Sequence, residues 1–124
     1  MPRPVPSNDL PPLTPVVMHI LLALADEERH GYAIAQEIER LSEGAVRTGP
    51  GTLYGSIQRM VKGGLIEESR RRPAAKNDDE RRRYYRLTAF GRRALESESA
   101  RMADLVAVAR AKRVLRPANA PRTA

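Results

Sequence analysis

The stretch Thr48-Gly-Pro-Gly-Thr-Leu-Tyr-Gly-Ser-Ile-Gln-Arg-Met-Val-Lys-Gly63 decides how the rest of the chain is read. Pro50 suits a first helical position, where its missing N–H is not needed, and Thr48 or Gly49 can cap the turn that it opens. Leu53, Ile57, Met60 and Val61 then recur at helical spacing and predict an apolar stripe that faces a core. At 3.6 residues per turn the opposite stripe presents Gly51, Gly55, Gln58, Arg59 and Lys62, with Thr52 and Tyr54 on its flanks. It holds donors, a short hydroxyl, an aromatic edge and no acid. Gly55 costs about 1 kcal/mol of helix propensity against Ala, but it removes a side chain that would hold a partner surface away. An anionic surface such as a duplex groove fits such a face; a solvated surface helix is the plainer reading, and the flanking sequence decides between them.

The 124 residues suit one domain with tails. Lys and Arg total 22 against 15 acids, a net charge of +7. The surplus is local: Arg70 to Arg93 carries ten basic residues and three acids, so the remainder is balanced. A concentrated basic segment just after a candidate recognition helix is the electrostatic footprint of a nucleic-acid binder. The chain contains no cysteine, which excludes disulfides and thiolate metal sites. The opening Met-Pro-Arg-Pro-Val-Pro lacks the apolar core of a signal peptide, and the run from Val16 to Ala25 is interrupted by His19 and too short to span a bilayer. A soluble, cytoplasmic protein with no membrane partner is the expectation.

Prolines 2, 4, 6, 11 and 12 predict a disordered arm over residues 1–13. Thr14-Pro15 starts a first helix to about Asp26, with Val17, Ile20, Leu21 and Leu24 on its main face; Val16, Met18 and Leu22 add apolar sides that call for a second neighbour. A polar turn, Asp26 to Gly31, leads to a second helix over Tyr32 to Leu41. Ile34, Ala35, Ile38 and Leu41 face inward there, and Gln36, Glu37, Glu39 and Arg40 outward. Ala45 to Thr48 suits a short strand. Leu65 to Arg70 and Arg82 to Leu87 suit two strands of a charged hairpin, with Tyr85 and Leu87 on one side. Thr88 caps a long helix reaching Leu115, with Leu95, Met102, Leu105, Val106 and Ala109 as its apolar positions. Three of these lie seven apart, as in helix pairing. Pro117 ends it, and residues 117–124 are expected to be a disordered tail.

The predicted fold class is therefore mainly α with a small β-hairpin. It is a winged helix-turn-helix domain over 14–87, followed by a C-terminal dimerisation helix over 88–116. In that order of elements the third helix enters the major groove and the hairpin, or wing, lies along phosphates. Thr52, Tyr54, Gln58 and Arg59 are the base-reading candidates, since Arg pairs bidentately with guanine and Gln with adenine. Tyr54 is open between a phosphate contact and simple packing, Gly55 supplies the close approach, and Lys62 suits a phosphate. In the wing Arg71, Arg72, Lys76, Arg81, Arg82 and Arg83 are backbone-contact candidates, opposed by Asp78, Asp79 and Glu80 near the tip.

His19 and His30 are the only histidines, and with no cysteine to join them neither a metal nor another cofactor is expected. His30-Gly31 reads as shaping the turn before the second helix. No Gly-rich phosphate loop follows a strand and no nucleophile sits with an evident base, so the chain does not read as an enzyme. A basic dimeric module that binds an acidic protein, and a ligand sensor with a pocket between apolar helices, are the readings from other classes. One Phe, four Tyr and no Trp argue against an aromatic drug cage.

Ile20-Leu-Leu-Ala-Leu24, His30-Gly-Tyr-Ala-Ile34, Gly51-Thr-Leu-Tyr54, Arg59, Gly64-Leu-Ile66, Tyr84-Tyr-Arg-Leu-Thr88 and Gly91-Arg92 occur together in one order. In these motifs, over about residues 14 to 115, the sequence resembles the PadR family of bacterial transcriptional regulators. The resemblance implies a homodimeric repressor of double-stranded operator DNA, paired through its C-terminal helix and often released by a small-molecule effector. Two positions depart from the pattern: Gly55 stands where many members have proline, and Gly63 where an acidic or polar residue is usual.

Overall fold

A computed structural model describes residues 12–69 and 83–116. Residues 1–11 of the arm expected over 1–13, the wing cations Arg71, Arg72, Lys76, Arg81 and Arg82, and the tail from 117 lie outside the described residues.

The first helix, α1 (Pro15–Ala23), starts where Thr14 Oγ1 accepts the Val17 N–H at 3.3 Å, with Pro15 in the first turn. It ends three residues before Asp26. Met18, Ile20, Leu21, Ala23 and Leu24 are buried, whereas Val17 is only half-buried. The deep face is therefore turned toward Met18 from the expected one, because α1 is surrounded by α2 (Gly31–Leu41), α3 (Pro50–Lys62) and α4 (Ala89–Ala111).

The polar turn after α1 holds a strand. Residues Arg29–His30 (β1) pair antiparallel with β3 (Tyr84–Leu87), which pairs on its other side with β2 (Ile66–Ser69), so the sheet order is β1-β3-β2. Two residues are too few for an alternating pattern, and the strand was not legible. Arg29 ties this corner together. Its Nε donates to the Ala23 carbonyl at 2.8 Å, and its guanidinium reaches Glu27 at 3.0 Å, Asp26 at 3.6 Å and Glu37 at 3.7 Å. His30 Nδ1 accepts the Ala33 N–H and caps α2.

Within α2, Ile34 and Ile38 are buried as expected. Leu41 is exposed instead of inward, and the Glu37 side chain, expected in solvent, is only 11 % exposed. Arg40 donates to both Glu37 oxygens, at 2.7 and 2.6 Å. Its hydrogen bonds, followed by the Arg29 charge, hold the Glu37 carboxyl below its ordinary value of 4.5 against an opposing effect of burial. The segment 45–48 is not a strand. Ser42 Oγ organises it, donating to the Ile38 carbonyl at 2.8 Å and accepting the Val46 N–H at 3.0 Å, so a side chain satisfies backbone that a sheet would otherwise pair.

Leu53, Ile57 and Met60 of α3 are buried together with Ser56, while Val61 is 39 % exposed. The inward stripe thus runs through Ser56 and not through Val61. Gly64, with φ at +80°, reverses the chain into β2. Thr88 then closes the joint: its N–H and hydroxyl both donate to the Leu65 carbonyl, at 3.2 and 3.1 Å, the hydroxyl also donates to the Gly64 carbonyl, and it accepts the Gly91 N–H as the cap of α4. Ala94 and Leu95 complete the core. The buried Glu98 accepts the Leu13 N–H at 2.6 Å and pairs with Arg101 at 3.4 Å. The helix ends at Ala111, short of the expected Leu115, and Arg113 at φ 61° turns the chain away. Among the described residues no helix is long and apolar enough to cross a membrane.

Two outcomes follow from this packing. A Cβ added at Gly91 would stand 1.9 Å from the Leu65 carbonyl oxygen. Gly91→Ala should therefore destabilise the fold by about 2 kcal/mol or more, despite roughly 1 kcal/mol of gained helix propensity; a denaturant midpoint equal to that of the unaltered protein would refute the close approach. Since folding lowers the pKa of Glu37, its contribution is complete above 4.5 and is lost as pH falls through the lowered value. Glu37→Gln should lower the urea midpoint at neutral pH and converge with the unaltered protein in acid. A deficit of equal size at both would remove the ion pair as its cause.

Candidate nucleic-acid interface

Burial of Leu53, Ser56, Ile57 and Met60 against α1 and β2 determines which side of α3 meets solvent. Gly51, Thr52, Tyr54, Gln58, Arg59 and Lys62 are all exposed, and Gly55 is half-buried among them. The helix contains no acid, and Arg59 and Lys62 fall in its last turn, where cations also suit the helix dipole. The structure thus brings together every residue predicted on this helix.

Two side chains have specific surroundings. The Arg59 guanidinium folds back along the helix, donating to Ser56 Oγ at 3.2 Å and lying 3.4 Å from the place of a Gly55 Cβ. The bare surface at Gly55 therefore receives the Arg59 head. Tyr54 leans the other way, its ring against Gly31 at the start of α2.

Of the wing candidates only Arg83 is among the described residues; it is exposed and lies 3.8 Å from Glu68 on β2. The neighbouring Arg86 donates to Glu67 at 2.9 Å and lies 3.8 Å from Glu28. The base of the hairpin accordingly pairs opposed charges on both faces of the two strands, Glu67 with Arg86 on one and Glu68 with Arg83 on the other. Burial, more than the nearby Glu68, raises the pKa of the Tyr85 hydroxyl; Arg83 opposes the shift and Tyr54 adds to it.

A group of polar residues beside α3 was missed from the sequence. Tyr32, Gln36 and Glu39 of α2 and Val46, Arg47 and Thr48 of the following loop line an open depression of about 340 Å³. Arg47 lies 3.6 Å from Glu39 there. The signal was available in the helix-turn-helix arrangement itself, whose first helix crosses the nucleic-acid backbone.

The C-terminal candidates divide. Leu95, read as a pairing position, is 6 % exposed and belongs to the chain's own core. Met102, Leu105 and Val106 are exposed, Leu105 at 65 %, and Ala109 is half-buried. Among the described residues no group of three His, Cys, Asp or Glu side chains could hold a metal.

The model of the transcriptional regulator PadR-like family matches residues 20–97, from α1 to the middle of α4, and stops before Met102. A PadR family transcription regulator from Clostridium difficile R20291 is similar in structure, with a TM-score of 0.63 and 25 % identity, over 77 % of this chain and 94 % of that one. A transcriptional regulator from Clostridium thermocellum has a TM-score of 0.60 and 26 % identity, over 75 % and 84 %. A 37.1 kDa protein in transposon TN4556 of Streptomyces fradiae is 40 % identical over 88 residues, which are 71 % of this chain; the match spans 23 % of that protein's length.

Proposed function

The chain belongs to the PadR-like family of transcriptional regulators, and from that premise we propose that it binds double-stranded DNA as a homodimer on an inverted-repeat operator and represses transcription there. The acid-free, largely exposed face of α3 carries this reading. Thr52, Gln58 and Arg59 read base edges in the major groove, Gly55 admits the close approach, and Tyr54 and Lys62 meet phosphates. Arg71, Arg72, Lys76, Arg81, Arg82 and Arg83 hold the backbone beside it as a sequence-independent positive segment, the first five of them outside the described residues. A small dimer that covers its site excludes other proteins from it, which is the simplest route to repression.

Pairing is assigned to the outer half of α4. Met102, Leu105, Val106 and Val108 would remain in water in a monomer, an exposed apolar run that soluble chains avoid. A two-fold axis through this helix, with the exposed Leu22 of α1 beside it, sets two α3 helices about 34 to 36 Å apart, one turn of duplex. Leu95 serves the core of each protomer and not the pairing surface.

The deciding experiment is to sequence duplexes that the purified protein selects from a random pool and to measure affinity against salt. Counterion release makes log K fall by about 0.9 per phosphate contact against log salt. A preference for an acidic peptide over every duplex would replace this reading with that of a protein-interaction module. On a selected duplex, Arg59→Ala should cost about 1 to 3 kcal/mol and relax the preference at one base pair per half-site; a uniform loss on all sequences would reassign it to phosphate. Changing Met102 and Leu105 to Glu should yield a folded monomer by light scattering with greatly reduced operator affinity. A dimer that persists, or a selected site without inverted symmetry, would overturn the role of α4.

A further inference from the structure

Gly31 opens α2 without the backbone conformation that calls for glycine: its φ is not in the left-handed region, and alanine would raise the helix propensity of this position. The neighbour explains it. A Cβ at Gly31 would lie 2.6 Å from Tyr54 Cε1, 2.7 Å from its hydroxyl oxygen and 2.9 Å from Cζ, so the ring of Tyr54 rests directly on the glycine. Tyr54 is 47 % exposed and is not a core residue. A ring that gained only burial would not need to lie with half its surface in water. The contact fixes instead where its polar end stands: beside the start of α2, and within electrostatic reach of Tyr85 on β3. That is the crease between α3 and the sheet that carries the wing.

On the reading of α3 as the DNA-contacting helix, we propose that Gly31 is a positioning residue for Tyr54, holding its hydroxyl at the crease to donate to a backbone phosphate as the strand passes from α3 toward the wing. An aromatic hydroxyl held by a rigid ring presents its donor with little rotamer freedom to lose on binding, which suits a contact that sets register. Gly31 touches no nucleic acid; it acts through the ring that it admits.

Four variants test this on a duplex selected by the unaltered protein: Tyr54→Phe, Gly31→Ala, Tyr54→Ala, and Gly31→Ala combined with Tyr54→Ala. Tyr54→Phe keeps the ring on Gly31 and loses the hydroxyl. It should weaken binding roughly ten- to a hundredfold, the range of one hydrogen bond to a charged group, with an unchanged unfolding midpoint. Gly31→Ala displaces a side chain and no backbone, and should weaken binding by a similar factor on every sequence. In the Tyr54→Ala background the same change should leave affinity unaltered, because the ring that it displaces is gone. An equal loss from Gly31→Ala in both backgrounds, or unaltered affinity of Tyr54→Phe, overturns the proposal. If Gly31→Ala fails to fold, Tyr54→Phe decides alone. Failure of the unaltered protein to select any duplex would instead remove the reading of α3 on which this rests.

Discussion

The contact between the start of α4 and the turn after α3 is the constraint on which the arrangement depends. Gly91 lies so close to the Leu65 carbonyl that no side chain fits between them, and Thr88 donates from both its N–H and its hydroxyl to that oxygen. One residue thus receives the end of the exposed-face helix, the first strand of the wing and the first turn of the long helix. Interiors pack too densely to absorb a shift of an ångström there. The three elements assigned to base reading, phosphate contact and pairing therefore share a joint of a few residues, and the orientation of α4 constrains that of α3.

Charge is sorted as tightly as packing. Acids are held by cations around the corner made by α1, β1 and α2, where Arg29 meets three of them and Arg40 meets Glu37 through two of its three guanidinium nitrogens. At the base of the hairpin Glu67 and Glu68 face Arg86 and Arg83. On α3 the cations have no carboxylate on their own helix. Exposed pairs of this kind add little stability each; among the described residues none of the ion pairs involves Arg59 or Lys62 of α3.

The family assignment and the local geometry bear on different parts of the chain. The family match ends at Ser97, so it covers the helices and sheet that build the exposed face of α3 but not Met102, Leu105, Val106 and Ala109. Pairing through α4 rests on the exposure of Met102, Leu105, Val106 and Val108. Gly31 and Tyr54 lie within the matched region, yet what relates them is a contact across two helices that neither motif states by itself.

Periodicity and caps made the helices legible. Thr14, Thr88 and the prolines at 15 and 50 mark starts that the structure reproduces, and the inward residues of α3 were read correctly except where Ser56 replaces Val61. The exposed face of that helix was legible for the same reason: a helix with one apolar stripe has its other side in solvent, whatever surrounds it. Segments too short to carry a period were not legible, namely β1 and the loop at 45–48, where single side chains such as Arg29 and Ser42 decide the backbone. Leu95 and Met102 look alike in sequence, seven residues apart on one face. Only the path of α1 and the joint at Leu65 put the first in the core and leave the second in water, because burial along a straight helix is set by where its neighbours end. The sequence by itself thus determined the four helices, the two hairpin strands, the family and the chemistry offered by α3; the tertiary structure decided β1, which apolar residues remain free for a partner, and that the glycine before Tyr32 is the seat of Tyr54, since all three depend on distances between segments far apart in the chain.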